Sequence, residues 1–295
     1  MIRNLFFCFA VALIAIAVGK NINSARAETM IVKYPKPEAD AFRYAYHYEL
    51  VEQILIKTES IYGPYQIVPY IKEVNTQRKV KEFMQGEHVN LFWSPPQDLY
   101  EKNMRVIRIP ILKGLLGYRI FLIRKKDQAK FSSIKTIEDL RKYTVGQGKN
   151  WADVKVYEHN NIKVVKGNRY EHLFGMLARG RFDYFARGIN EVFPEFQAKK
   201  NHFPIMHVEE SILLYYPYPV FIYVHITNER LAERIEQGLG LMIEDGSFDK
   251  LFFKYHSSMI EKANLKGRKV FRIENPFIPE STPLNRNELW YDPTR

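Results

Sequence analysis

The chemistry offered most plainly lies in three charged residues spaced by four: Arg187, Glu191 and Glu195. They sit where a strand over 182–186 gives way to an Arg-Gly turn and then a helix. A guanidinium is a planar fork suited to a carboxylate or phosphate. Arg187 therefore reads either as the anchor for an acidic ligand or as the internal partner of Glu191, one helical turn on. Lys149 and Trp151 follow Gly146 and Gly148, which read as a tight turn after a short strand. Lys149 would supply charge, and Trp151 a flat face for an apolar or planar solute. Asp183, at the start of a strand, reads as a structural hydrogen-bonding group. His47, close to Glu49 and Glu52, reads as part of a solvated helix face. His159, His172, His202 and His207 are scattered without metal-ligand spacing, and no G-x-S-x-G, phosphate loop or Cys–His arrangement occurs. No catalytic residue, metal or cofactor is expected.

The elements that must position these groups alternate in type. The stretch 144–196 reads strand, glycine-rich turn, helix, strand, helix, strand, turn, helix, with Leu173, Met176 and Leu177 on one helical side. Such alternation implies largely parallel sheets with helices on their faces, and ligands collect at the carboxyl ends of such strands. The earlier chain repeats the order. A strand over 30–34 leads to a helix over 42–58, with Tyr44, Tyr48, Val51, Ile54 and Leu55 spaced for one buried face. A strand over 65–70, a helix over 76–84 and a strand over 90–93 follow, the last running into Ser94. Tyr34, Tyr44, Trp93 and Ser94 thus fall near one edge.

These motifs carry a resemblance. GQGKNWAD, then LARGRFDYFARG some thirty residues on, then Glu191 and Glu195, resembles the second lobe of type II periplasmic solute-binding proteins, and more narrowly the amino-acid-type (family 3) substrate-binding group of ABC transporters. The resemblance implies an α/β fold of two lobes, each a mainly parallel sheet with flanking helices, joined by a two-strand hinge. It implies that a small molecule binds between the lobes, with contacts from Tyr34, Tyr44, Ser94, Lys149, Trp151 and Arg187. It implies hand-over to an ABC transporter permease or a membrane sensor. Two departures bear on the ligand. Amino-acid binders usually have a carboxylate-gripping arginine just after the Ser94 loop, but here 97–102 reads QDLYEK. Where such binders commonly have an ammonium-pairing aspartate, this chain has Arg187 and Gly188. An acidic solute is therefore expected rather than a zwitterion. The alternatives are a dehydratase-like enzyme on the same scaffold, or a ligand-free scaffold that binds another protein.

Residues 1–27 read as a cleaved secretory signal, with Arg3, the apolar run 5–18 and Ala25-Arg26-Ala27. The run is shorter than the roughly 20 residues that span a bilayer. A periplasmic, monomeric protein is expected. The lone cysteine, Cys8, falls in that leader, so no disulfide is expected. Removing the leader lowers the net charge from +11 to +8, spread along the chain rather than clustered, and no nucleic-acid motif is present. Lobe one is expected over 28–113 and 218–295, and lobe two over 114–217. Gly114 and Gly117 would stand at the outgoing crossing and 213–226 at the return. The proline-rich tail is expected to wrap lobe one, with Trp290 as its anchor.

Overall fold

The computed structural model describes residues 28–36, 41–71 and 83–293. The expected leader and most of the expected 76–84 helix lie outside the described residues.

Two α/β bodies are built around two sheets. In the first, β1 (Met30–Val32) pairs parallel with β2 (Tyr65–Ile67). β3 (Leu91–Ser94) and β4 (Met104–Ile107) flank β11 (Phe221–His225) antiparallel. The backbone N–H groups of Asn90 and Leu91 donate to Lys33 O at 2.9 and 3.1 Å, which joins the two pieces. Helices Ala41–Lys57, Glu229–Glu244 and Ser247–Ala263 pack together on this body. Leu50, Val51, Ile54 and Leu55 are buried there with Ile222, Ile235 and Leu239. Tyr44 and Tyr48, expected on that same face, are only half-buried, because the first turns of the helix reach past the core to the cleft.

In the second body β5 (Tyr118–Arg124) is central. It runs antiparallel to β8 (Phe185–Gly188), β9 (Met206–Val208) and β10 (Ile212–Tyr215). β6 (Val145–Gly148) and β7 (Val164–Gly167) pair parallel, and a Val145–Tyr184 bridge ties β6 towards β8. Phe121, Phe131, Val145, Tyr157, Tyr184 and Leu214 form its core. The expected parallel pairing holds for β1–β2 and β6–β7, whereas β11 with β3 and β4, and β5 with β8, β9 and β10, pair antiparallel, so both bodies mix the two kinds of pairing. Local signals acted as read at several points. Thr136 and Asp139 form a capping box at the helix Ile137–Arg141. Asp183 Oδ2 accepts from Thr144 N at 2.8 Å and Thr144 Oγ1 at 2.9 Å, the structural role expected. Gly146 and Gly148 differ from expectation: they lie within β6, and Gly146 makes room for the Phe182 ring rather than a turn.

The run 213–226, read as one crossing, is two strands in different sheets, β10 and β11. Beside it, Gly117 passes so close to Tyr216 that an added Cβ would lie 2.1 Å from the Tyr216 carbonyl oxygen. The tail departs from expectation. Strand β12 (Lys269–Arg272) pairs parallel with β10, so it extends the second sheet rather than lobe one. Asn275 Nδ2 then donates to Pro217 O at 2.8 Å. The last described residues return to the joint. Trp290 covers Gly114, Tyr291 N donates to Lys113 O at 2.8 Å, and Tyr118 Oη donates to Tyr291 O at 2.9 Å. Lys113 Nζ donates to Glu288 O at 2.6 Å and to Asp249 Oδ1 at 2.5 Å. Trp290 is an anchor, but of the joint between the bodies. Among the described residues no helix is long and apolar enough to cross a membrane.

Candidate functional site

Between the two bodies lies a cavity of about 580 Å³. Its walls are the carboxyl ends of β3, β6, β7 and β8, together with the start of the Ala41–Lys57 helix and the crossing strands. It brings together Tyr44, Ser94, Lys149, Trp151 and Arg187, five of the six residues expected to contact a ligand. Tyr34 is the exception. Its ring is 4% exposed, stacked on Tyr48 at 5.2 Å and set against Trp93 at 5.9 Å, so it supports the wall from behind.

The first-body wall is aromatic. His47 stacks on Trp93 at 4.9 Å and 20°, and Tyr44 lies across both at 5.7 and 6.0 Å. Helix and strand end are locked together by ring packing. Ser94 Oγ donates back to Pro95 O at 2.9 Å, which holds the loop that leaves β3.

The second-body floor is charged. Arg187, 3% exposed, closes a two-pronged bond on Glu195, with Nε to Oε2 at 2.7 Å and an Nη to Oε1 at 2.8 Å. It also meets Glu191 at 2.8 Å, and its guanidinium lies over the Trp151 ring at 4.8 Å. Burial works against its charge, but Glu191 and Glu195 outweigh that and hold it firmly protonated. The expected anion anchor is therefore corrected: Arg187 lines the cavity, but its fork is spent on carboxylates of the following helix. Trp151 lines the cavity, one face of its ring carries Arg187, and the ring stacks on Phe185 at 6.0 Å and 15°. Lys149 is exposed at the rim.

A second buried arginine was missed in the sequence. Arg119, second residue of β5 and 2% exposed, pairs with Asp153 at 3.1 Å and lies 3.7 Å from Glu191. Its guanidinium lies over the rings of Tyr216 at 5.3 Å and Tyr218 at 4.9 Å, both from the return crossing. Asp153 also accepts from Tyr216 Oη at 3.1 Å. Burial pushes the Asp153 carboxyl up, against the pull of Arg119 and Arg187. The signal was present only as an arginine inside the otherwise apolar run 118–123, since burial there forces a partner. Among the described residues no group of three or more His, Cys, Asp or Glu could hold a metal ion.

A scan against models of known families finds no match, and neither does a search of curated proteins. Solved structures do match. An ancestral arginine-binding protein bound to arginine is 19% identical, with a TM-score of 0.52 over 77% of this chain and 97% of that one. A periplasmic His/Glu/Gln/Arg/opine family-binding protein from Silicibacter pomeroyi, in complex with lysine, is 9% identical, with a TM-score of 0.55 over 77% and 97%. A histidine kinase sensor domain with similarity to periplasmic binding proteins is 12% identical, with a TM-score of 0.54 over 78% and 97%. Two mixed-sheet bodies, chain crossings between them and a cavity at the strand ends give this chain the two-lobe α/β fold of the type II periplasmic binding proteins.

Proposed function

We propose that this protein captures a small, polar, amino-acid-like solute between its lobes and presents it, from the periplasm, to an ABC-type transporter or a membrane sensor. The observation that carries this reading is the cavity itself. Residues from both lobes line it, and a ligand that touches both favours the closed arrangement by differential contact. A ligand-free scaffold would instead pack those residues against each other. The neighbours bound to arginine and to lysine support a solute of amino-acid size, and the sensor-domain neighbour supports signalling as an alternative destination. The preference for an acid rested on Arg187 and loses that basis, since the fork is neutralised within the lobe. The aromatic wall of Tyr44 and Trp93 suits the flat or aliphatic part of a solute, and the second-lobe floor its polar end.

The test is a thermal-shift screen of residues 28–295 against amino acids, their amides, dicarboxylates and polyamines. A ligand that binds only the native state raises the melting temperature by mass action. A concentration-dependent rise with at least one such solute, reduced by Tyr44→Ala, is expected. No rise with any of them overturns the reading.

A further inference from the structure

The floor of the cavity holds two buried polar atoms without a hydrogen-bond partner among the described residues: the Nε of Arg119 and the Oδ1 of Asn190. Both residues line the cavity. They are also neighbours in the fold. Arg119 on β5 is the cross-strand partner of Gly188 on β8, and a Cβ built on Gly188 would lie 2.7 Å from Asn190 Oδ1. Residues paired across strands share a face of the sheet, so the Arg119 side chain lies on the side of the sheet where Asn190 Oδ1 meets the bare Gly188. Buried polar groups in folded proteins are nearly always paired, and an exception in a cleft calls for a partner from outside.

The charge around this pair restricts that partner. Arg119 already faces Asp153 and Glu191. A carboxylate placed at its Nε would lie close to those two acidic side chains. An ammonium would satisfy Asn190 but leave the arginine N–H without an acceptor. One open donor beside one open acceptor is the complement of a neutral group that carries both, a carbonyl oxygen next to an N–H. Resting on the reading of this cavity as a solute site, we propose that the ligand presents a primary amide or ureido group to Arg119 and Asn190. Its oxygen accepts from Arg119 Nε, and its nitrogen donates to Asn190 Oδ1. The rest of the solute extends towards Tyr44 and Trp93.

Glutamine and glutamate, or asparagine and aspartate, have nearly the same shape and differ at this one group. Titration calorimetry of the mature chain with all four tests the assignment. The amides are expected to bind at least about tenfold tighter than the matching acids, the effect of one mismatched buried hydrogen-bonding group. Asn190→Ala is expected to remove most of that preference. Asn190 is half-exposed and follows the strand end, so the variant keeps the fold. Acids binding as tightly as amides, or an amide preference untouched by Asn190→Ala, would overturn the proposal while the solute-binding reading stands. If none of the four binds but another solute in the thermal screen does, the amide assignment fails alone. If nothing in that screen binds, both fail.

Discussion

The two walls of the cavity are built on opposite principles. The first lobe meets the cleft with rings: Tyr44, His47 and Trp93 hold one another by stacking, with Tyr34 behind. The second lobe meets it with buried charge: Arg119 and Arg187 balanced by Asp153, Glu191 and Glu195. A ring wall loses contact area when one member is trimmed, and its neighbours can relax. A buried ionic floor has no such tolerance, because each partner removed leaves an uncompensated charge. The first wall can therefore be retuned for different solutes at little structural cost, while the second is as much scaffold as site.

The sharpest way to break this contrast is Arg187→Ala. It strands Glu195, which is as buried as its partner, and is expected to cost about 3–5 kcal/mol in urea unfolding. A loss under about 1 kcal/mol would mean that the floor is not held by this pair. Glu195→Ala should cost as much, and the double mutant much less than the sum. The joint between the walls comes next. Gly117→Ala drives a methyl into the Tyr216 carbonyl and is expected to cost about 1–3 kcal/mol, since neither crossing strand can move without shifting its lobe.

A third test separates paired from unpaired buried groups. His256, 4% exposed against Phe252 and Tyr46, has no partner for either ring nitrogen among the described residues. Burial pushes its pKa down to about 4. The unfolded chain protonates this histidine near its ordinary value of about 6.5, whereas the folded chain does not until about 4. Between those values the unfolded state holds the extra proton, so stability is full above the window and falls as the pH drops through it. The slope attributable to His256 approaches about 1.4 kcal/mol per pH unit. His256→Phe should flatten that part of the pH profile of unfolding, and an unchanged profile would discount the histidine. The smallest structural effect is expected from Tyr44→Ala. Its cost in stability should stay within about 1 kcal/mol, while solute affinity in the thermal screen falls clearly.

How far the sequence could be read follows the same division. Alternating elements, the Thr136 cap and the structural role of Asp183 were legible, because each depends on residues close in the chain or on periodic burial. Five of the six proposed contacts reach the cavity because strand ends converge in any such fold. The state of Arg187 was only half legible. Glu191 was a visible partner at four residues, but the two-pronged bond to Glu195 needed the next turn of the helix to point the same way. Arg119 was hidden, because its partner Asp153 is 34 positions away and its ring neighbours Tyr216 and Tyr218 nearly a hundred. The tail was misplaced for a related reason: proline content shows that a segment is irregular, not which surface it lies on.

The route of that tail has a consequence for how the molecule is held together. Strand β12 and Trp290 belong to the last tenth of the chain, yet one completes the edge of the second sheet and the other closes over the joint. Neither lobe is a continuous piece of sequence, and the clasp that fixes them lies after every residue that lines the cavity. The edge of the second sheet and the cover of the joint therefore both depend on residues beyond 268. A copy that ends at residue 286 would keep every residue that lines the cavity and lose the clasp that aligns its two walls.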